Sequence, residues 1–135
     1  MSIKTFEDLE IWREGMRVSI KLYEIMRSCK DYGLKDQMQR AAVSIPSNIA
    51  EGFERQTNKE FIQFLYIAKG SCGELRTQLS LAKEFKYITD EDSTELISKT
   101  RQLSSMISNF IKTRKQIQSA PTFPPSAFRL PHNHE

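Results

Sequence analysis

The sequence predicts an all-α protein, an antiparallel up-and-down four-helix bundle followed by a proline-rich C-terminal tail. Apolar residues recur at three- and four-residue steps along four long segments, short polar connections separate these segments, and no run alternates as a strand does. Four of the five prolines fall after residue 115. We therefore expect one helical domain over residues 1–115 and an extended or disordered tail over residues 116–135.

Composition limits the classes of function. Lys and Arg number 20 against 17 Asp and Glu, a formal charge of +3, so any basic surface must arise from how the charges are arranged. Two cysteines, Cys29 and Cys72, lie at apolar positions and are predicted to be reduced packing thiols. No signal peptide or membrane-spanning run is visible, so we expect a cytoplasmic protein that makes no membrane contact.

The first helix is predicted from Phe6 to Ser28, opened by Thr5 and Asp8 as a variant capping box. Two apolar stripes run along it. One contains Leu9, Trp12, Met16 and Tyr23, and the other contains Ile11, Gly15, Val18, Leu22, Ile25 and Cys29. A helix of a small monomeric bundle needs one stripe, so the second is either a broad core face or a subunit contact.

The second helix is predicted to start at Leu34, after the turn at residues 31–33, and to end at Gly52. Pro46 lies inside it and predicts a kink, because proline has no N–H to donate to the carbonyl of Ala42. A polar stripe follows the same period and consists of Gln37, Arg40, Ser44, Asn48 and Glu51.

The third helix has the strongest periodicity and is predicted from a capping box at Thr57 and Glu60 to about Phe85. Its core positions are Phe61, Leu65, Ala68, Cys72, Leu75, Leu79 and Ala82. Gly70 and Gly73 lie in the middle of the helix, where each glycine costs about 1 kcal/mol relative to alanine. They indicate either close approach of another backbone or a tolerated weak point.

The fourth helix is predicted from Asp90 to Lys115, with Thr89 and Asp92 as its cap. Basic residues crowd its last turn, where they complement the helix dipole. They are Lys112, Arg114 and Lys115.

Three separated motifs carry a family resemblance. They are F-E-D-L-E-I-W at residues 6–12, Q-x-x-R-A-A-x-S-I-P-x-N-I-A-E-G at 37–52 and F-x-x-F-L-x-I-A-x-G-S-x-x-E-L at 61–75. Over about residues 6–115 the chain resembles the four-helix-bundle proteins encoded by intervening sequences of bacterial 23S ribosomal RNA genes. The resemblance implies an up-and-down bundle and a ring-like homopentamer. A similar accessory protein of diversity-generating retroelements implies binding of nucleic acid and a reverse transcriptase through a basic surface.

Two basic rows are the candidate nucleic-acid contacts. On the third helix the cations are seven residues apart, and on the first they are four apart. The α3 row is Lys69, Arg76 and Lys83, and the α1 row is Arg13, Arg17 and Lys21. The first hypothesis is therefore a homo-oligomeric module that binds structured RNA or a nucleoprotein. The alternative for these rows is a solvated helix face, with Glu10, Glu14 and Glu24 as local partners.

The second hypothesis is an oligomeric scaffold for a protein partner, with no nucleic acid involved. Under either hypothesis we expect a polar network that fixes helix register or subunit contact. Its predicted members are Gln37, Arg40, Ser44, Asn48, Glu51 and Glu74. Arg40 is predicted to pair with Glu51 of a neighbouring chain or with Glu74 of its own.

Catalysis is not indicated. The only histidines are His132 and His134 in the tail, so no helix position offers a histidine base or a Glu-x-x-His metal motif. A carboxylate-only site built from Glu51 and Glu74 is the remaining route to a metal. We predict a protein without catalytic residues, metal or cofactor.

Overall fold

The computed structural model describes residues 2–118. A 3-10 turn at Phe6–Asp8 precedes four helices: α1 at Glu10–Ile25, α2 at Tyr32–Phe53, α3 at Asn58–Glu84 and α4 at Asp90–Gln118. Each helix packs against its two neighbours, in the order α1, α2, α3, α4 and back to α1, and residues 2–118 contain no strand. The all-α four-helix bundle is therefore confirmed. Helix α4 continues to Gln118, so residues 116–118 are helical and the predicted boundary between bundle and tail at residue 115 was wrong. The rest of the predicted tail, from position 119 onward, lies outside the described residues.

The first helix was predicted too long at both ends. The carboxylate of Asp8 accepts hydrogen bonds from the backbone N–H groups of Lys4 (2.8 Å) and Thr5 (3.1 Å), and these donors hold the pKa of Asp8 below its ordinary value. They close only the 3-10 turn, because Leu9 is extended (φ −81°, ψ 129°) and its side chain is buried in the core. Continuing a helix through Leu9 would displace that side chain, so α1 begins at Glu10.

Helix α2 also differs from the prediction at both ends. It begins at Tyr32, because an Asp31 carboxylate oxygen accepts a hydrogen bond from the N–H of Leu34 at 3.1 Å and acts as the N-cap. At the other end Gly52 does not stop the helix, which continues to Phe53 with right-handed backbone at Glu54. Gly52 is a packing position instead.

The proline inside α2 is accommodated by α1. Helix α2 is continuous through Pro46, which is buried and leaves the carbonyl of Ala42 without its usual helical donor. The hydroxyl of Ser19 lies 3.0 Å from that carbonyl oxygen and 3.0 Å from the carbonyl oxygen of Gly15. A buried acceptor is thus satisfied by a side chain of the neighbouring helix.

We expect Ser19→Ala to destabilise the bundle by about 1–2 kcal/mol, because it leaves the buried Ala42 carbonyl without a donor. Ser80→Ala is the matched control, since the exposed Ser80 hydroxyl bonds only the Arg76 carbonyl of its own helix. Urea unfolding followed by circular dichroism measures both variants. Equal stability of the two proteins would contradict this role for Ser19.

Helices α3 and α4 begin as predicted. The hydroxyl of Thr57 accepts from the N–H of Glu60 at 3.1 Å, and that of Thr89 accepts from the N–H of Asp92 at 3.0 Å. The seven predicted core residues of α3 are all buried. After α3 the chain turns at Lys86, whose φ of 64° lets the N–H of Tyr87 bond the carbonyl of Ala82.

Cys29 and Cys72 are free and buried, as predicted. Gly70 and Gly73 do not mark a close approach within the chain. A Cβ at Gly70 would meet no atom within 4 Å, and one at Gly73 would meet only an Arg76 nitrogen at 4.0 Å. Of the helices in residues 2–118, none is both long enough and apolar enough to cross a membrane.

Candidate nucleic-acid interface

The α3 basic row lies on the side of α3 that faces α4. Asn58 at the start of α3 bonds Arg114 of α4, and positions 62, 69, 76 and 83 follow it at helical spacing. Lys69 and Arg76 are half-buried and Lys83 is exposed. Among the described residues, none of these three cations forms an ion pair or a hydrogen bond through its side chain.

The α1 basic row has a different environment. Arg13 pairs with Glu10 at 2.8 Å, Arg17 pairs with Glu14 and lies 3.7 Å from Glu10, and Lys21 lies 3.9 Å from Glu95 of α4. Carboxylates therefore neutralise this row locally, which favours the solvated-face interpretation for α1. The sequence predicted Glu24 as a third partner of this row, but the structure places Glu95 near Lys21 instead.

Arg76 has the most distinctive environment in the α3 basic row. Within residues 2–118, one of its guanidinium nitrogens is buried without a hydrogen-bond partner, and the other terminal nitrogen lies 4.0 Å from the position that a Cβ at Gly73 would occupy. A buried donor without an acceptor is unfavourable in the isolated chain, and an anion can bond this nitrogen only after the Arg76 side chain moves outward.

The positive charges of the α3 basic row act on Cys72, a buried residue of the core. Burial raises the pKa of its thiol to about 11, while the positive charges of Arg76 and Lys69 act in the opposite direction. The thiol is therefore protonated at neutral pH and is no nucleophile. Both cations are close enough to a core residue to influence its ionisation.

Helix α4 extends the basic surface beside α3. The ammonium group of Lys115 donates to the Tyr66 hydroxyl at 2.7 Å and lies 5.1 Å from the centre of its ring. Arg101 is exposed two heptads before Lys115 on a similar side of α4. From the sequence no aromatic residue was expected within the basic rows, so Tyr66, one turn before Lys69, was missed. The signal available in the sequence is the pair of cations Arg101 and Lys115, which a separation of two heptads places on a similar side of α4.

Arg114, in contrast, is a structural residue. It is buried, its Nε–H donates to the Asn58 carbonyl oxygen at 2.7 Å, and its guanidinium carbon lies 5.3 Å from the centre of the Phe61 ring. The Asn58 amide in turn donates to the Arg114 carbonyl at 2.8 Å. Arg114 belongs to the predicted basic cluster at the end of α4, and it joins α3 to α4. This contact is separate from any interaction with the helix dipole.

Two members of the predicted polar network, Ser44 and Asn48, are joined to each other and to Ser71. The hydroxyls of Ser44 and Ser71 lie 2.9 Å apart, and the Asn48 amide donates to the hydroxyl and the carbonyl of Ser44, both at 2.8 Å. Ser71 of α3 was not among the predicted members. The resulting cluster links α2 to α3 within one chain.

The other predicted members lie elsewhere. Gln37, Glu51 and Glu74 are exposed. Within residues 2–118, no three side chains of metal-ligating types lie close enough together to hold a metal ion. Arg40 bonds Asp36 of its own helix at 2.9 Å, with 79% of its side chain exposed. Its pairing with Glu74 of the same chain was therefore wrong, because a neighbour one turn away satisfies it.

Two apolar surfaces are exposed among the described residues 2–118. The α1–α2 groove, of about 640 Å³, is lined by Trp12, Met16, Ile20, Tyr23, Val43 and Pro46. The α3 apolar row consists of Ile67, Leu81 and the C-cap residue Phe85, which are each 42–54% exposed, and the exposed Glu74 lies between Ile67 and Leu81. Of the predicted first stripe of α1, only Leu9 is buried and Trp12 is half-buried. A broad core face therefore does not account for this stripe, because most of its residues are exposed along the groove.

A solved structure of a protein of unknown function from the S23 ribosomal protein family of Bacteroides thetaiotaomicron VPI-5482 superposes with a TM-score of 0.72 at 22% identity. The match covers 76% of this chain and 98% of that chain, and it shows the shared fold. No curated protein matches the chain. The family model described as 23S rRNA-intervening sequence protein matches residues 7–109, so the chain belongs to the 23S rRNA-intervening sequence protein family.

Proposed function

We propose that the chain is a non-enzymatic homo-oligomer, a pentamer by its family resemblance, that binds structured RNA or a nucleoprotein through the face between α3 and α4. The observation that carries the proposal is the contrast between the two basic rows. The α1 basic row is neutralised by carboxylates, whereas the α3 basic row has no acidic partner among the described residues. Cations without a protein partner are available for phosphate groups.

The chemistry of this face suits backbone contacts. Lys69, Arg76 and Lys83 are about 10.5 Å apart along the helix, so one row meets several phosphates of a structured nucleic acid. Lys115 and Arg101 add charge from α4. Tyr66 offers a single partly exposed ring, so the face favours recognition of phosphates and shape over stacking of successive bases.

Self-association would strengthen this binding. The α1–α2 groove and the α3 apolar row are the kinds of surface through which copies of a chain associate. A ring repeats the α3 basic row once per subunit, and linked weak sites bind one large ligand with much higher affinity than a single site. The modest formal charge of +3 on each chain is then sufficient for binding to a nucleic acid.

The test is a titration of fluorescent structured RNA with the full chain over a salt series, with the mass of the protein measured by light scattering. For a triple alanine variant of Lys69, Arg76 and Lys83, we expect weaker binding and a salt slope smaller by about 2–3 per subunit engaged. The matched control is the triple alanine variant of the α1 basic row, which loses the same charge. Since those cations are already paired, we expect its slope to change much less.

Two results would contradict the proposal. One is an equal loss of affinity in both triple variants, which would indicate a response to net charge alone. The other is no binding at low salt by a correctly assembled protein.

The exposed α3 apolar row favours a second candidate, the oligomeric scaffold for a protein partner. Ile67, Leu81 and Phe85 carry no charge, so their contact with a partner would be insensitive to salt. A partner that remains bound at high salt and is lost on Ile67→Glu would support the scaffold. Loss of binding only in the α3 triple alanine variant would support the nucleic-acid module.

A further inference from the structure

Tyr66 presents an open aromatic ring beside the α3 basic row. The residue lies one turn before Lys69, and 47% of it is exposed although tyrosine is a large side chain. Within residues 2–118 its ring stacks on no other aromatic ring. An exposed ring next to cations that contact phosphates is a surface on which the base of a nucleotide can stack.

Lys115 of α4 holds this ring from its edge. The ammonium nitrogen is 2.7 Å from the Tyr66 hydroxyl oxygen and 5.1 Å from the centre of the ring. These two distances place the cation beyond the hydroxyl, at the rim of the ring, so Lys115 covers neither face. The hydrogen bond orients the ring before a ligand binds, and less conformational freedom is then lost on binding.

The surface of α3 beside the ring is bare. A helical side chain covers the turn on the N-terminal side of its own Cα, so the surface that follows Tyr66 belongs to residue 70, four positions later. This residue is glycine, and a Cβ there would meet no atom within 4 Å. Gly73 continues the bare surface, seven residues after Tyr66. A base stacked on the ring therefore has space over α3.

We propose that Tyr66 stacks one unpaired base of a structured RNA, while Lys69 contacts a neighbouring phosphate. The proposal rests on the proposed function, because the α3 basic row brings the phosphates to the ring. Bases within a duplex are already stacked on each other, whereas a bulged base can turn outward onto an aromatic side chain. A single ring accommodates a single base, so the ligand class is a base-paired stem that carries an unpaired nucleotide.

This ligand also gives a reason for the two glycines. Glycine is unfavourable in the middle of a helix, and neither Gly70 nor Gly73 makes room for another part of the chain within residues 2–118. A base and its ribose that lie against α3 need this room. The helix is then bare at the positions where the nucleotide would contact it.

Two RNA hairpins that differ by one nucleotide test the proposal. One has a fully paired stem, and the other has the same stem with a single bulged 2-aminopurine, a base whose fluorescence falls when it stacks. The two carry almost the same phosphate charge, so the ratio of their affinities isolates the contribution of the unpaired base. We expect the full chain to bind the bulged hairpin about tenfold more tightly and to reduce its fluorescence at saturation.

Three variants and a matched control locate the stacking. Tyr66→Ala should remove the preference for the bulged hairpin and the fall in fluorescence, while Tyr66→Phe, which keeps the ring, should retain both. Gly70→Leu should remove the preference without loss of stability, because leucine covers the bare surface but is the better helix former. Tyr32→Ala is the control: Tyr32 is 68% exposed and belongs to neither basic row, so the preference should remain.

The outcomes separate this proposal from RNA binding itself. Equal affinity of the wild-type protein for the two hairpins, with weaker binding of both by the α3 triple alanine variant, would contradict the stacking site and leave the proposed function standing. A preference that persists in Tyr66→Ala would also contradict the site and would indicate that the flexibility of the bulged stem is recognised. Absence of binding to either hairpin at low salt would contradict both. Circular dichroism and light scattering show that each variant folds and assembles.

Discussion

Replacement of Gly52 by alanine is expected to destabilise the bundle by about 2–3 kcal/mol, although alanine is the better helix former. A Cβ at this position would lie 2.7 Å from the Cβ of Phe64 and 2.9 Å from a ring carbon of Phe61. The Phe64 Cβ is attached to the α3 backbone and cannot rotate away. The last turn of α2 must therefore move away from α3 and separate the aromatic contacts around Phe61.

Gly70→Ala is the matched control, because it makes the same chemical change inside a helix where a Cβ meets no atom within 4 Å. We expect it to stabilise the bundle by about 1 kcal/mol. Urea unfolding of the three proteins at one concentration measures the difference, and light scattering shows whether the assembly is unchanged. Two variants that shift stability in the same direction would mean that the space around Gly52 does not limit the approach of α2 to α3.

The contrast between these glycines shows what the sequence can predict. The four helices follow from apolar periodicity and caps, because both act between residues less than two turns apart. The role of a glycine depends on which side chains of another helix lie opposite, and that is set by tertiary packing. From the sequence, Gly70 indicated either a close approach or a tolerated weak point, and Gly52 indicated a helix end, whereas the structure gives the close approach to Gly52.

The two basic rows show that the sequence also predicts the candidate site only in part. Their spacing alone makes both rows equally good phosphate contacts. Local carboxylates at Glu10 and Glu14 were visible in the sequence, but Glu95, which lies near Lys21, comes from another helix. The absence of ion-pair partners for the α3 basic row within residues 2–118, and the approach of Tyr66 to Lys115, are likewise properties of the packed bundle.

The pair formed by Asn58 and Arg114 carries the second large expected effect. The residues are 56 positions apart, both are buried, and two hydrogen bonds of 2.7 and 2.8 Å join them where α3 begins and α4 nears its end. Asn58→Leu retains the approximate side-chain volume but removes a donor and an acceptor. We expect it to lower the free energy of unfolding by about 3 kcal/mol, because a buried guanidinium group loses one acceptor and a buried carbonyl loses a donor.

Arg40→Ala provides the comparison, since it also removes one arginine interaction. Arg40 is almost fully exposed and pairs with Asp36 one turn away, so its loss should leave the melting temperature nearly unchanged. Thermal melts of both variants, with light scattering at the same concentration, measure the contrast. If Asn58→Leu has the same melting temperature as the wild type, the pair has no net stabilising role. If instead Arg40→Ala loses oligomer mass, Arg40 contacts a neighbouring chain, as the predicted pairing with Glu51 of that chain requires.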